Sequence, residues 1–485
     1  MSSESNGTGT LTGRAGAKGA PIRAHVTGWG RYVPSQILSN KDLERMVDTS
    51  DEWIVTRTGI RERRVAAANE TTASMAAVAG LRAIHAAGIS PEDIDLILLG
   101  TLTPDYWMPS TAALVKEAIG NTRAAAMDVM AACSGFVYGF ATAQAWIESG
   151  LAKHVLVIGA ELLTRFLDYT DRSTCILFGD GAGAAVLSAS QEPGGALGVE
   201  LTTEPQGAYM IWLPAGGAKS PPSAETIARG EHFIRMEGKE TYRFATRTLA
   251  STALESVRKS GLQPDDIRLF IPHQANIRII EAVAKGLNLS MDRMYTNVDK
   301  YGNTSAASVP IAMAEAVNEG RVNVGDRITI VAFGAGFTSG AVTIEWTADP
   351  ARGREADAKI RPEDVQVRLP VDWDSVDPIP PALAEAVDSG RVKVGDDIVM
   401  VAFGAGFTSG AIALRWTADP TRGAIAETIT PDVVTIRPPA DWAAETIPPG
   451  LAAVLAGSGA ADEAAADELD LGDIVPDTRG TKVHA

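Results

Sequence analysis

The alternation of strand-like and helix-like runs predicts an α/β protein built from two similar halves, and three observations carry that expectation. The runs "DIDLILLGTL" from Asp93 and "HVLVIGAEL" from His154 are almost wholly apolar, which suits strands covered on both faces of a sheet. The runs "TTASMAAVAGLRAIHAAGI" and "SGFVYGFATAQAWIESG" read as helices rich in small residues, which permit close packing and deep burial. Two motifs also recur. "AAGISPEDIDLILLGTLTPD" from Ala86 resembles "KSGLQPDDIRLFIPHQAN" from Lys259, and "FGDGAGAAVLS" from Phe178 resembles "FGAGFTSGAVTI" from Phe333.

In chain order, residues 1–20 are polar and Gly-rich with no apolar core, so a disordered tail is expected rather than a secretory signal. The two halves are expected over 21–200 and 201–350. The polar, Pro-rich stretch over 351–379 reads as a linker. Residues 380–423 then repeat the end of the second half: of the 44 residues from Pro310, 31 are identical at an offset of 70. A weaker echo pairs "RLPVDWDSVDPIPPAL" from Arg368 with "RPPADWAAETIPPGL" from Arg437. Residues 424–485 form a Pro-rich and then acidic tail. A half of this kind has one place for such a helix–strand–turn–strand unit. The first copy directly follows "GNTSAAS" and is the expected occupant; the strands of the second need another cover.

The chain has 485 residues and a net charge of −17, which argues against nonspecific nucleic-acid binding and for a soluble, cytoplasmic protein. Two cysteines make no disulfide framework, so a reducing compartment is expected. No apolar run reaches the ~18 residues of a membrane span.

Few residues invite chemistry. Cys133 lies where an apolar run passes into a helix, and a helix N-terminus favours a thiolate nucleophile; taken alone, a buried structural cysteine is the better reading. Cys175, at the expected start of a strand, suits the structural role better. His273 ends a buried strand before a helix, where it either faces a cavity or caps that helix. Asn303 sits in a turn before the helix "VPIAMAEAV". No cluster has metal-ligand spacing, so neither metal nor cofactor is expected.

Together these strings say more. Cys133, His273 and Asn303, with "MVDTSDEWIVTRTGIRERR" from Met46, "TDRSTCILFGDGAGAAVL" from Thr170, "HQANIRII", "GNTSAASVP" and "FGAGFTSG", resemble the thiolase-like condensing enzymes. The resemblance is to the β-ketoacyl-[acyl carrier protein] synthase III family and covers about 22–346. It implies a five-layer αβαβα fold and a homodimer. It implies that Cys133 takes an acyl group from acyl-CoA, and that His273 and Asn303 stabilise the enolate formed when malonyl-[acyl carrier protein] loses carbon dioxide. The backbone N–H groups of Cys133 and Ala335 would form an oxyanion hole, for which a turn of small residues allows close approach. Trp53, Arg57 and Arg172 match positions that contact CoA; Gly238, Tyr242, Ala275 and Asn276 match those lining its tunnel. Met108 stands where acetyl-selective members often carry Phe, at an acyl pocket reached from the partner subunit, which suits a larger or branched primer. The turn departs from many members, which have a third Gly and a Trp there.

Carrier proteins are acidic and need a basic surface. Arg278 and Lys285 share a helix face at i, i+7, and Arg243 and Arg247 form an i, i+4 pair; these four are the expected docking residues. Two other functions stay open: acyl transfer to an alcohol or amine on the same fold, and a non-catalytic assembly partner. A true thiolase would want a second catalytic cysteine near the chain's end.

Overall fold

Strand β1 (Arg23–Tyr32) opens a chain that alternates strands with helices as far as Glu345. The computed structural model describes residues 20–367, 397–403 and 409–415. A ribbon of β2 (Gln36–Ser39) and β3 (Glu62–Val65) flanks α1 (Asn40–Leu43) and α2 (Asp51–Thr58). Then come α3 (Thr72–Ala87), β4 (Leu96–Gly100), α4 (Thr111–Ala118), β5 (Ala125–Val129), α5 (Gly135–Glu148), β6 (His154–Glu161), α6 (Arg172–Cys175) and β7 (Gly181–Ser190). Strand β8 (Gly195–Thr203) begins the second half. A second ribbon, β9 (Ile211–Trp212) with β10 (Arg235–Met236), encloses α7 (Ala224–Ala228). It leads to α8 (Gly238–Lys259), β11 (Leu269–Pro272), α9 (Ile277–Gly286), α10 (Val298–Tyr301), α11 (Ser308–Asn318), β12 (Arg327–Gly334), β13 (Thr338–Glu345) and α12 (Ala351–Lys359).

The halves share one plan. The first sheet runs β1-β7-β6-β4-β5 and the second runs β8-β13-β12-β11. In each, the first two pairings are antiparallel and the next is parallel. Where the first sheet adds β5, the second has only a parallel bridge from Phe270 to Met294. The recurring motifs occupy matching places. One enters β4 and β11 through turns at Pro91 and Pro264, and the other forms β7 and β13.

Three apolar cores make the five layers. The central core joins the facing sides of both sheets through α5 and α11. These helices are buried nearly all round, as their composition requires: Phe136, Val137, Phe140, Ala143 and Ile147 on α5, and Ser308 to Val317 on α11. An outer core packs α3 and α4 on the first sheet, and another packs α8 and α9 on the second. The small residues of α3 set its approach to β1: a Cβ on Gly28 would lie 2.0 Å from the Ala83 carbonyl oxygen.

The structure corrects two expectations. Cys175 ends helix α6 rather than starting a strand, and it is buried. The linker expected from 351 begins as helix α12, with Gly353 and Ala356 buried against the body. Gly353 meets Trp29 and Asn318, the Arg354 guanidinium donates to the Asn318 carbonyl at 2.8 Å, and Val365 and Val367 pack on the outer core of the first sheet.

The first copy of the repeated unit fills the second sheet, β12 beside β11 and β13 beside β8. In the second copy, β14 (Asp397–Phe403) and β15 (Ser409–Arg415) form a separate antiparallel pair. Its register, Asp397 opposite Arg415, repeats that of Arg327 opposite Glu345. The rest of 380–423, the segment 368–379, and the expected tails over 1–19 and 424–485 lie outside the described residues. Among the described residues, no helix is long and apolar enough to cross a membrane.

Candidate active site

After β5 the chain makes a 3-10 turn at Ala132–Ser134 and enters α5, which sets Cys133 at the helix start, 9% exposed. The hairpin turn between β12 and β13 closes over it. A Cβ on Gly334 would stand 2.6 Å from the Cys133 backbone nitrogen, so only glycine allows this contact. The Thr338 hydroxyl donates to the Ala131 carbonyl at 2.9 Å and ties the turn down. Burial pushes the Cys133 thiol up to about 12, against a hydrogen bond from Ser305 Oγ at 3.2 Å that favours the thiolate. The resting group is therefore the thiol.

His273 follows β11 and is 1% exposed. Burial alone lowers its pKa to about 3, so the imidazole is neutral. Its Nδ1 lies 2.6 Å from Ser308 Oγ, and that oxygen also accepts the Gln274 backbone N–H at 3.4 Å. Among the described residues Nδ1 is the only acceptor within reach of the Ser308 hydroxyl proton, so we assign that proton to Nδ1 and the ring proton to Nε2. Nε2 has no hydrogen-bond partner among the described residues. Asn303 is held by its backbone to Leu177 and Gly179, and its Oδ1 accepts the Ser305 N–H at 2.9 Å. That leaves Asn303 Nδ2 as the free donor.

A largely apolar cavity of about 390 Å³ brings these groups together. Cys133, His273, Asn303 and Ala335 line it, and so do Gly238, Tyr242, Ala275 and Asn276. Trp53, Arg57 and Arg172 are gathered outside it. The guanidinium carbons of Arg57 and Arg172 lie 4.4 and 4.9 Å from the Trp53 ring centroid. Asn276 caps α9 and its amide donates to the Arg57 carbonyl at 3.1 Å, linking this patch to the cavity. Met108 does not line the cavity of this chain; it is 60% exposed, and its neighbour Trp107 lines it instead.

The four basic residues are all exposed. Arg243 pairs with Glu240 at 2.8 Å and Arg247 with Glu204 at 3.0 Å, which offsets part of the expected positive surface. Arg278 lies 5.9 Å from the ring of cavity-lining Tyr242, and Lys285 is in the last turn of the same helix.

Three functional groups were missed in the sequence. Ser308 bonds the His273 ring, and Ser305 touches Cys133. Glu161 is buried, with Oε1 2.9 Å from Ser305 Oγ. Its signal was a lone carboxylate ending an apolar strand, "HVLVIGAE".

Comparison with known proteins matches two family models. That for 3-oxoacyl-[acyl-carrier-protein] synthase III covers residues 127–205, and that for the C-terminal part of the same family covers 257–346 and again 375–416. The chain is 49% identical over 326 residues to β-ketoacyl-[acyl-carrier-protein] synthase III of Caldanaerobacter subterraneus, covering 67% of this chain and 98% of that one. It is 50% identical over 321 residues to the synthase III of Symbiobacterium thermophilum, covering 66% and 97%. Among solved structures, the Aquifex aeolicus synthase III superposes with a TM-score of 0.62 at 44% identity, covering 67% of this chain and all of that one. The priming β-ketosynthase of the R1128 polyketide pathway gives 0.64 at 33% identity, covering 69% and 99%. A cysteine at a helix start, two neutral donors opposite it and this degree of likeness have one reading: the chain belongs to the β-ketoacyl-[acyl-carrier-protein] synthase III family.

Proposed function

We infer that this chain is an acyltransferase that initiates fatty-acid synthesis by condensing an acyl-CoA primer with malonyl-[acyl carrier protein]. The observation that carries the reading is the convergence of Cys133, His273 Nε2 and Asn303 Nδ2 on one apolar cavity.

The reaction divides into two halves. In the first, the Cys133 sulfur attacks the thioester carbonyl of acyl-CoA, the C–S bond to CoA breaks, and CoA leaves with one proton. The backbone N–H groups of Cys133 and Ala335 hold the oxyanion. In the second, malonyl-carrier protein loses carbon dioxide and its electron pair moves onto the thioester oxygen as an enolate. His273 Nε2–H and Asn303 Nδ2–H donate to that oxygen. Both donors are neutral, so neither gives its proton away, and the enolate carbon stays reactive. It attacks the acyl-Cys133 carbonyl and expels the cysteine sulfur as a thiolate, which takes up one proton from solvent to restore the thiol.

In this reading Trp53 stacks the adenine of CoA beside Arg57 and Arg172, and Gly238, Tyr242, Ala275 and Asn276 line the pantetheine path. The exposed apolar group Trp107, Met108, Met127 and Met130 supports a homodimer, with Met108 serving the partner's acyl pocket. Arg243, Arg247, Arg278 and Lys285 form the surface for the acidic carrier protein, with Arg278 and Lys285 the more available pair. A cytoplasmic location goes with these substrates. The likeness to a polyketide priming enzyme leaves the chemistry unchanged and bears on which carrier is served.

The test is a product assay with malonyl-carrier protein and a panel of straight and branched acyl-CoAs. A β-ketoacyl-carrier product, absent with Cys133→Ala, supports condensation. Free acid or acyl ester without that product would support simple acyl transfer instead.

A further inference from the structure

The reaction requires Cys133 to give up a proton, and neither neutral donor can take it. Behind the sulfur, on the side of β6, lies a buried polar chain that the condensation does not otherwise use. Ser305 Oγ is 3.2 Å from Cys133 Sγ and 2.9 Å from Glu161 Oε1. The serine has a single hydroxyl proton and cannot donate to both at once. Two arrangements satisfy it. Either the thiol donates to Ser305, which donates to a Glu161 carboxylate, or a protonated Glu161 donates to Ser305, which donates to a thiolate. The two differ by one proton moved along the chain.

The two carboxylate oxygens are divided in use. Oε2 accepts from the Thr103 hydroxyl at 2.6 Å, the Thr101 hydroxyl at 3.2 Å, and the backbone N–H groups of Leu102 at 3.1 Å and Thr103 at 3.2 Å. That anchors the loop after β4. Oε1 is turned to Ser305. Glu161 and Ser305 are both 0% exposed. The groups packed on Glu161 are hydroxyls, backbone N–H groups including that of Ala306, and the Cys133 thiol, which is the titratable one; none of its hydrogen-bond partners is a cation. Ser305 also holds a left-handed backbone at φ 49, a conformation glycine would adopt without strain. The chain keeps a hydroxyl there at a conformational cost.

Resting on the condensation assigned above, we propose that Ser305 and Glu161 form the proton path of Cys133: Ser305 exchanges a proton with the sulfur, and Glu161, acting through Ser305, holds it while the acyl group transfers. The balance closes within the known half-reaction. The thiol proton passes to Ser305 as the Ser305 proton passes to Glu161. The Sγ–acyl bond forms and the acyl–CoA sulfur bond breaks. The stored proton then returns through Ser305, which lines the cavity, to the departing CoA sulfur. Burial places the Glu161 carboxyl at about 7, against the hydroxyl and N–H donors around it, so it can both accept and release a proton near neutrality.

The test uses the full chain with Glu161→Gln, which keeps the hydrogen-bonding shape but takes no proton, and Ser305→Gly, which suits the local backbone and deletes the hydroxyl. Rapid-quench mass measurement of acetyl transfer from acetyl-CoA to Cys133 is compared with single-turnover condensation from enzyme already acetylated. Each variant is expected to slow acetyl transfer by about 10²-fold at pH 7 and to change condensation by less than about threefold. The rising limb of the acylation pH profile near 7 should vanish in Glu161→Gln. Equal slowing of both half-reactions would mark the chain as structural and overturn the proposal, as would unchanged acylation or a retained limb. Failure of condensation in the wild-type protein would instead count against the function on which it rests.

Discussion

In the proposed reaction His273 serves as a donor because burial keeps it neutral, and its usefulness there depends on which nitrogen holds the proton. Ser308 makes that choice. Ser308→Ala is therefore expected to slow decarboxylation of malonyl-carrier protein while leaving acetylation of Cys133 intact. Asn303→Ala removes one of the two enolate donors and should lower decarboxylation by about 10²–10³-fold, again sparing acetylation. Separate assays of the two half-reactions check both. Because the His273 pKa lies at about 3, decarboxylation by acylated enzyme should show no histidine inflection between about pH 5.5 and 8.

Glu161 gives a stability prediction with a definite sign. Its folded pKa, about 7, is raised above the ordinary 4.5, so between those values the folded state binds a proton that the unfolded state has lost. Its contribution to stability is present below pH 4.5 and is lost as pH rises to about 7. Glu161→Gln should lack this loss, so its Tm should gain on the wild type from pH 5 toward pH 8; thermal unfolding across that range reads it. Cys133, His273 and Asn303 could be singled out in sequence because each sits in a distinctive local string, and the structure lines one cavity with all three. Ser308 and Glu161 were not, because their roles exist only across chain separations of 35 and 144 residues, to His273 and to Ser305.

At the scale of elements, the strands and buried helices of both halves were readable from apolar runs and small-residue helices. Helix α12 was not. Its buried positions are Gly353 and Ala356, small residues that make no apolar stripe in a polar sequence. Their smallness is the point: a Cβ on Gly353 would stand 2.2 Å from Trp29 Nε1. The Arg82 guanidinium donates to the Ile360 carbonyl at 3.0 Å and lies 3.8 Å from Asp357, which adds polar ties to the packing. Two truncations separate a helix that belongs to the body from a linker. Ending the chain after Arg368 should leave Tm unchanged, whereas ending it after Ala348 should lower Tm by exposing Trp29 and the outer core near Val365 and Val367. Equal Tm values would contradict the structural role of α12.

For the whole molecule, the question is why a unit that lines the thioester site occurs twice. Adjacency to "GNTSAAS" pointed to the first copy, and the strand order agrees: β12 and β13 sit between β11 and β8. The second copy carries the same string and is matched by the same family model over 375–416, and among the described residues β14 and β15 pair with each other. Sequence identity preserved the local hairpin register but could not decide which hairpin a sheet receives; position in the chain relative to Asn303 did. In the proposed reaction the first copy contributes one backbone N–H, that of Ala335, to the oxyanion hole. Ala335→Pro should abolish acylation by removing it, and Ala405→Pro should leave acylation at the wild-type rate.

The central claim is that Cys133 holds the acyl group between the two halves of a condensation. Its most direct test is peptide mass analysis of the full chain after acetyl-CoA, and again after malonyl-carrier protein is added. The expected result is an acetyl group on the Cys133 peptide, discharged on the second addition as a β-ketoacyl-carrier product appears. An unmodified Cys133 peptide, or an acetyl group that stays in place when malonyl-carrier protein is added, would contradict it.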